Sequence, residues 1–62
     1  MNANQIKHIL ATLHHATQYD DGLLRIEMDL SVRRIDVYLA GYFVVSCSTK
    51  AELARWLVDL PD

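Results

Sequence analysis

Three kinds of side chain in this 62-residue chain could do chemistry: His8, His14 and His15, the single thiol Cys47, and the carboxylates Glu27, Asp29 and Asp36. A metal centre needs ligands that converge on one point, as histidines at i and i+4 of a helix do. None of the histidine separations is four, and His8 and His15 stand two turns apart. They read as surface histidines, with His14 and His15 near a helix C-terminus, where positive charge is favoured. Cys47 lies between Ser46 and Ser48. A catalytic thiol needs a base and an orienting group within reach, and no local motif links Cys47 to either, so it reads as a buried structural cysteine. Paired carboxylates can run acid–base reactions only in a cleft that shifts their pKa values. Glu27, Asp29 and Asp36 fall instead on one flat strand face, with arginines among them. No glycine-rich phosphate loop, Walker sequence or zinc knuckle is present. The chain is therefore expected to be no enzyme, and to hold no metal or other cofactor.

The elements that position these residues follow from hydrophobic period. Ile6, Ile9, Leu10, Leu13 and Ala16 or Thr17 recur at three- and four-residue steps, which predicts a helix from Asn4 to about Tyr19. Asn2 or Asn4 can cap its start, and Asp20-Asp21-Gly22 is expected to end it. Leu24, Ile26, Met28 and Leu30 alternate with Arg25, Glu27 and Asp29, and Ile35, Val37 and Leu39 alternate with Arg34, Asp36 and Tyr38. Strict alternation predicts two half-buried strands, joined as a hairpin around Ser31-Val32. Pairing Met28 with Ile35 and Ile26 with Val37 keeps the apolar residues together. The same register sets Asp29 opposite Arg34, which is favourable, and Glu27 opposite Asp36, which is not. Tyr42 to Cys47 follows the Ala40-Gly41 turn and is apolar on both faces, so a third strand with a partly wet outer face is expected. Thr49 and Glu52 form a capping-box pair ahead of a helix from Lys50 to Leu60. Leu53, Trp56, Leu57 and Leu60 make its buried stripe, and Pro61 stops it.

The predicted fold is a two-layer α+β domain over residues 1–62 in the order α-β-β-β-α. A three-stranded antiparallel sheet has both helices on one face. Composition agrees with that class: 52% hydrophobic residues with a net charge of −2 exclude a disordered chain, and one cysteine excludes a disulfide scaffold. The longest apolar run, Val37 to Val45, is far short of the ~20 residues of a membrane span. No charged-then-apolar leader opens the chain, so a cytoplasmic setting is expected. A domain this small buries only about 60% of its unfolded surface, which favours self-association or work in complex with a partner.

The order α-β-β-β-α resembles the double-stranded RNA-binding domain in topology. That family grips phosphates with basic residues at the start of its last helix. Here that stretch is Ser48-Thr49-Lys50-Ala51-Glu52, with only Lys50 basic, and the long loop between the first two strands is missing. The chain is also net acidic, so no direct contact with nucleic acid is expected. The last third of the chain resembles the small phage-encoded anti-CRISPR proteins. An apolar strand runs into Ser48-Thr49, then a helix with Leu53 and Trp56, closed by Leu60-Pro61. The resemblance covers about a quarter of the chain, and here the gap from Ser-Thr to the leucine is one residue longer. It implies a non-enzymatic inhibitor, acting in a bacterial host, that occupies a surface of a CRISPR-Cas defence complex.

The expected binding surface is the wet sheet face with the acidic turn beside it. Arg25 and Arg34 would form specific pairs, and Tyr38 a central contact, since tyrosine and arginine are common interface anchors. Glu27, Asp29, Asp36, Asp20 and Asp21 would supply complementary charge to a protein partner. The alternative expectation is a homodimeric module that pairs through the Tyr42–Cys47 edge or through the sheet face.

Overall fold

The computed structural model describes residues 1–61. The elements are α1 (Ala3–His15), β1 (Gln18–Asp20), β2 (Leu24–Asp29), β3 (Arg34–Leu39), β4 (Tyr42–Cys47) and α2 (Lys50–Val58). The strands form one antiparallel sheet in the order β1-β2-β3-β4. The sheet thus has four strands where three were expected from the sequence.

The fourth strand corrects the first predicted helix. α1 stops at His15, where Ala16 turns extended while its N–H still reaches the Thr12 carbonyl at 3.0 Å. Ala16 and Thr17 would continue the helical period, but Tyr19 beyond them finds its place in the sheet, and Thr17 and Tyr19 both favour strands. In a strand, Tyr19 lies opposite Ile26 and half-buries its ring against the core. The Met28 amide donates to the Thr17 carbonyl at 2.8 Å, extending the pairing past Gln18. Asp20-Asp21-Gly22 therefore caps no helix; it turns β1 into β2. Gly22 (φ +96°) donates its N–H to Asp20 Oδ1 at 2.9 Å, and Asp21 Oδ1 accepts from Leu23 and Leu24 at 3.0 and 2.8 Å. Carboxylates that bind backbone two or three residues on are a standard device for such turns.

The β2–β3 hairpin has the register read from the sequence, including Glu27 opposite Asp36 and Asp29 opposite Arg34. Its connection spans Leu30–Arg33, with Arg33 at φ +54°. Leu30, expected on the inward face, is lifted off the sheet by this turn and is largely exposed. β3 pairs with β4 through a bulge: Val37 opposes Val45 and Tyr38 opposes Phe43, leaving Val44 as the extra residue.

Among the described residues, the ten that are buried form one cluster between the layers. Ile6, Ile9 and Leu13 come from α1, Leu53 and Leu57 from α2, and Leu24, Ile26, Ile35, Val37 and Cys47 from the sheet. Trp56 and Leu60 pack on its margin. The helix starts are capped as the sequence suggested. Asn2 accepts from Gln5 at 2.9 Å, and Thr49 Oγ1 accepts from Glu52 at 3.1 Å. The Glu52 carboxylate reaches back to the Ser48 N–H at 3.3 Å, one residue earlier than in the usual capping box. α1 and the stretch after α2 are tied where the Met1 ammonium donates to the Leu60 carbonyl. No helix among the described residues is long and apolar enough to cross a membrane.

Candidate protein-binding face

Because alternate side chains of a strand point to opposite faces, burying Ile26, Ile35 and Val37 turns their neighbours outward. The pairing then arranges the outward residues in rows across the sheet. One row is Asp20, Arg25, Tyr38 and Phe43; the next is Gln18, Glu27, Asp36 and Ser46; the last is Asp29 beside Arg34. Seven of the eight residues expected from the sequence, all but Asp21, therefore share one face.

The first row is a stack. The Arg25 guanidinium carbon sits 4.2 Å from the Tyr38 ring centroid, and the Tyr38 and Phe43 rings meet edge-on with centroids 5.7 Å apart. Flat cations over aromatic faces and edge-to-face rings are both attractive arrangements. Arg25 Nε lies 3.3 Å from Glu27 Oε2, yet this buried nitrogen makes no hydrogen bond, so the ring and the charge pair hold the guanidinium without an aimed N–H. Phe43, which sequence reasoning left off the site, is 57% exposed and extends the stack to the sheet edge. Only the bulge places it opposite Tyr38, and bulges have no signal in the alternation of a fully apolar strand.

The second row answers the like-charge problem of the register. Each carboxylate is neutralised along its own strand rather than diagonally: Arg25 pairs with Glu27, and Arg34 Nε lies 3.2 Å from Asp36 Oδ1. Asp29 accepts from the Ser31 N–H and hydroxyl at 3.1 and 2.6 Å. The Ser31 hydroxyl, then the Ser31 amide and the charge of Arg34, hold its carboxyl below the usual carboxylate range. An open depression of about 570 Å³ lies over Glu27, Asp29, Arg34, Asp36 and Tyr38.

Asp21 is turned elsewhere. It accepts from the Tyr19 hydroxyl at 3.0 Å and lines a hollow with Met1, Gln5 and His8, on the helix side. The Leu24 amide, with those of Leu23 and the Tyr19 hydroxyl, keeps its carboxyl below its ordinary value. Its role is to shape the turn, and of the acidic pair only Asp20 stands on the open face.

The remaining reactive residues do not converge. His14 and His15 contact each other edge-on at 5.0 Å, and His8 meets the edge of Tyr19 at 6.3 Å. Among the described residues no three histidine, cysteine or acidic side chains are grouped to hold a metal ion. Cys47 is buried in the core, and burial, with the Glu52 charge, pushes its thiol pKa up, away from the reactive thiolate. Comparison with protein-family models, curated proteins and solved structures found no match.

Proposed function

We propose that this is a non-enzymatic binding protein that docks on a protein partner through the open sheet face. The observation behind this reading is the row of Arg25, Tyr38 and Phe43, already stacked and facing away from both helices. Large rings and a guanidinium held in place lose little freedom on binding, which is what an interface anchor needs. Around the stack, Glu27, Asp29 and Asp36 offer carboxylates to basic side chains of the partner. The finer reading is an inhibitor of a bacterial CRISPR-Cas complex, and its support is the resemblance carried by the apolar strand, Ser48-Thr49, the helix with Leu53 and Trp56, and Leu60-Pro61. Steric and electrostatic blocking is the mechanism.

The test is capture from bacterial lysate with the tagged wild-type protein, the double variant Tyr38→Ala/Asp36→Ala, and a helix-layer variant, Lys7→Glu. Recovery of one nucleic-acid-handling machine by wild type and Lys7→Glu, but not by the double variant, is expected. Equal recovery by the double variant would refute the open face as the docking surface. A specific partner outside nucleic-acid defence would retain the face and reject the inhibitor reading.

A further inference from the structure

The sheet has two edges of different character. β1 is three residues long and ends in Asp20. β4 is six residues long and holds no charged residue and no proline, whereas every other strand carries at least one charge. Natural edge strands are normally blunted by charge, proline, shortness or a bulge. β4 has only the bulge, and the strand runs on beyond it to Cys47. The extra residue is a valine, so Tyr42, Phe43 and Val44 stand exposed in succession, at 76%, 57% and 42%.

We infer that β4 pairs edge to edge with β4 of a second copy of this chain, antiparallel about a two-fold axis, joining the two sheets into one. Charge selects this occupant. In an isologous antiparallel pair each residue lies against residues of the same strand, and like charges directly opposite are destabilising. β4 is the one strand of the sheet that meets itself without charges. A charged foreign strand would lay its charges on Tyr42, Phe43 and Val44 and lose their water without pairing them.

The area sets the strength. At these exposures the two rings leave roughly 200–300 Å² accessible per copy, taking ~150–250 Å² for a whole aromatic side chain. That is about a third of the ~800 Å² per partner of a standard interface. Val44, Ser46 and the edge backbone add to this, and the contact stays within the small, transient class of interfaces. A contact of this size makes the dimer weak and concentration-dependent. This inference stands apart from the docking role of the open face: a β4 dimer leaves Arg25, Glu27, Asp36 and Tyr38 uncovered on both copies, and of the stacked row only Phe43, at the sheet edge, belongs to both surfaces.

Sedimentation equilibrium from about 5 to 500 µM, the range in which weak association shows, tests it on wild type, Val44→Lys, Tyr42→Lys and the open-face variant Arg25→Ala. Both lysines fall on exposed side chains, and circular dichroism confirms that each variant is folded. Wild type and Arg25→Ala should rise from the 7.1 kDa monomer towards twice that mass. Both lysine variants should associate at least ten-fold more weakly. A wild-type protein that stays monomeric throughout overturns the inference. So does association untouched by both lysines, or association lost with Arg25→Ala, which would mean pairing through the open face.

Discussion

Truncating Tyr38 separates the energy of the open-face stack from that of the core. Tyr38→Ala removes the contact with Arg25 at 4.2 Å and the edge-on contact with Phe43 at 5.7 Å, and leaves the buried cluster intact. An exposed cation–π contact contributes ~0.5–1 kcal/mol and an aromatic pair ~0.5–1.5 kcal/mol, so a loss of roughly 1–2.5 kcal/mol is expected. For a domain of this size that lowers the thermal midpoint by roughly 5–15 °C. Binding by the Tyr38→Ala/Asp36→Ala variant must therefore be compared well below its midpoint. The assay is urea unfolding followed by the fluorescence of Trp56, the single tryptophan, which packs on the core margin. A double-mutant cycle with Arg25→Ala should return a coupling of ~0.5–1 kcal/mol. A loss below about 0.3 kcal/mol, or no coupling, would refute the stack as a held element. A loss above ~3 kcal/mol would mean that Tyr38 supports the core, as large core truncations do.

Three further predictions concern the scaffold. Asp21 has a carboxyl pKa lowered by folding, so the stability it gives is present above its unfolded value of ~3.9 and is lost as pH falls through its folded value. Thermal midpoints from pH 6 down to 2 should therefore fall less steeply for Asp21→Asn than for wild type, and parallel curves would contradict the turn assignment. Thr49→Ala removes the α2 cap and should cost ~1 kcal/mol in denaturant titration, with the open face unchanged. Leu57 is fully buried, and Leu57→Ala should cost ~2–5 kcal/mol, comparable to the ~3–5 kcal/mol that the core of so small a domain supplies. Its circular dichroism at 25 °C should show a substantially unfolded chain, and a well-folded, cooperative variant would contradict the single-core description.

The sequence states the β2–β3 hairpin almost completely, because a one-residue slip of either alternating run would part Ile26 and Met28 from Ile35 and Val37, and the short turn at Ser31-Val32 disfavours longer slips. Helix α2 is equally legible from Thr49, Glu52 and the Leu53–Leu57 stripe. The end of α1 was not. Ala16 and Thr17 continue the helical period, and only the pairing of Tyr19 with Ile26 draws the chain into a strand, a tertiary preference that outweighs local pattern. The turn role of Asp21 is hidden for the same reason, since two adjacent aspartates look alike until hydrogen bonds from Leu23 and Leu24 separate them. The open face was readable as a set because alternation decides it. The stacking of Arg25 on Tyr38, and the arrival of Phe43 beside them, depend on cross-strand register and a bulge that composition does not reveal.

Carboxyl footprinting of the complex with its captured partner tests the central reading most directly. Carbodiimide labelling reports on Glu27 and Asp36 in the open face, and on Glu52 and Asp59 on and after α2. Docking through the open face predicts that Glu27 and Asp36 become protected on binding while Glu52 and Asp59 label as in the free protein. Protection of Glu52 and Asp59 with Glu27 and Asp36 still labelled would place the partner on the helices and contradict it.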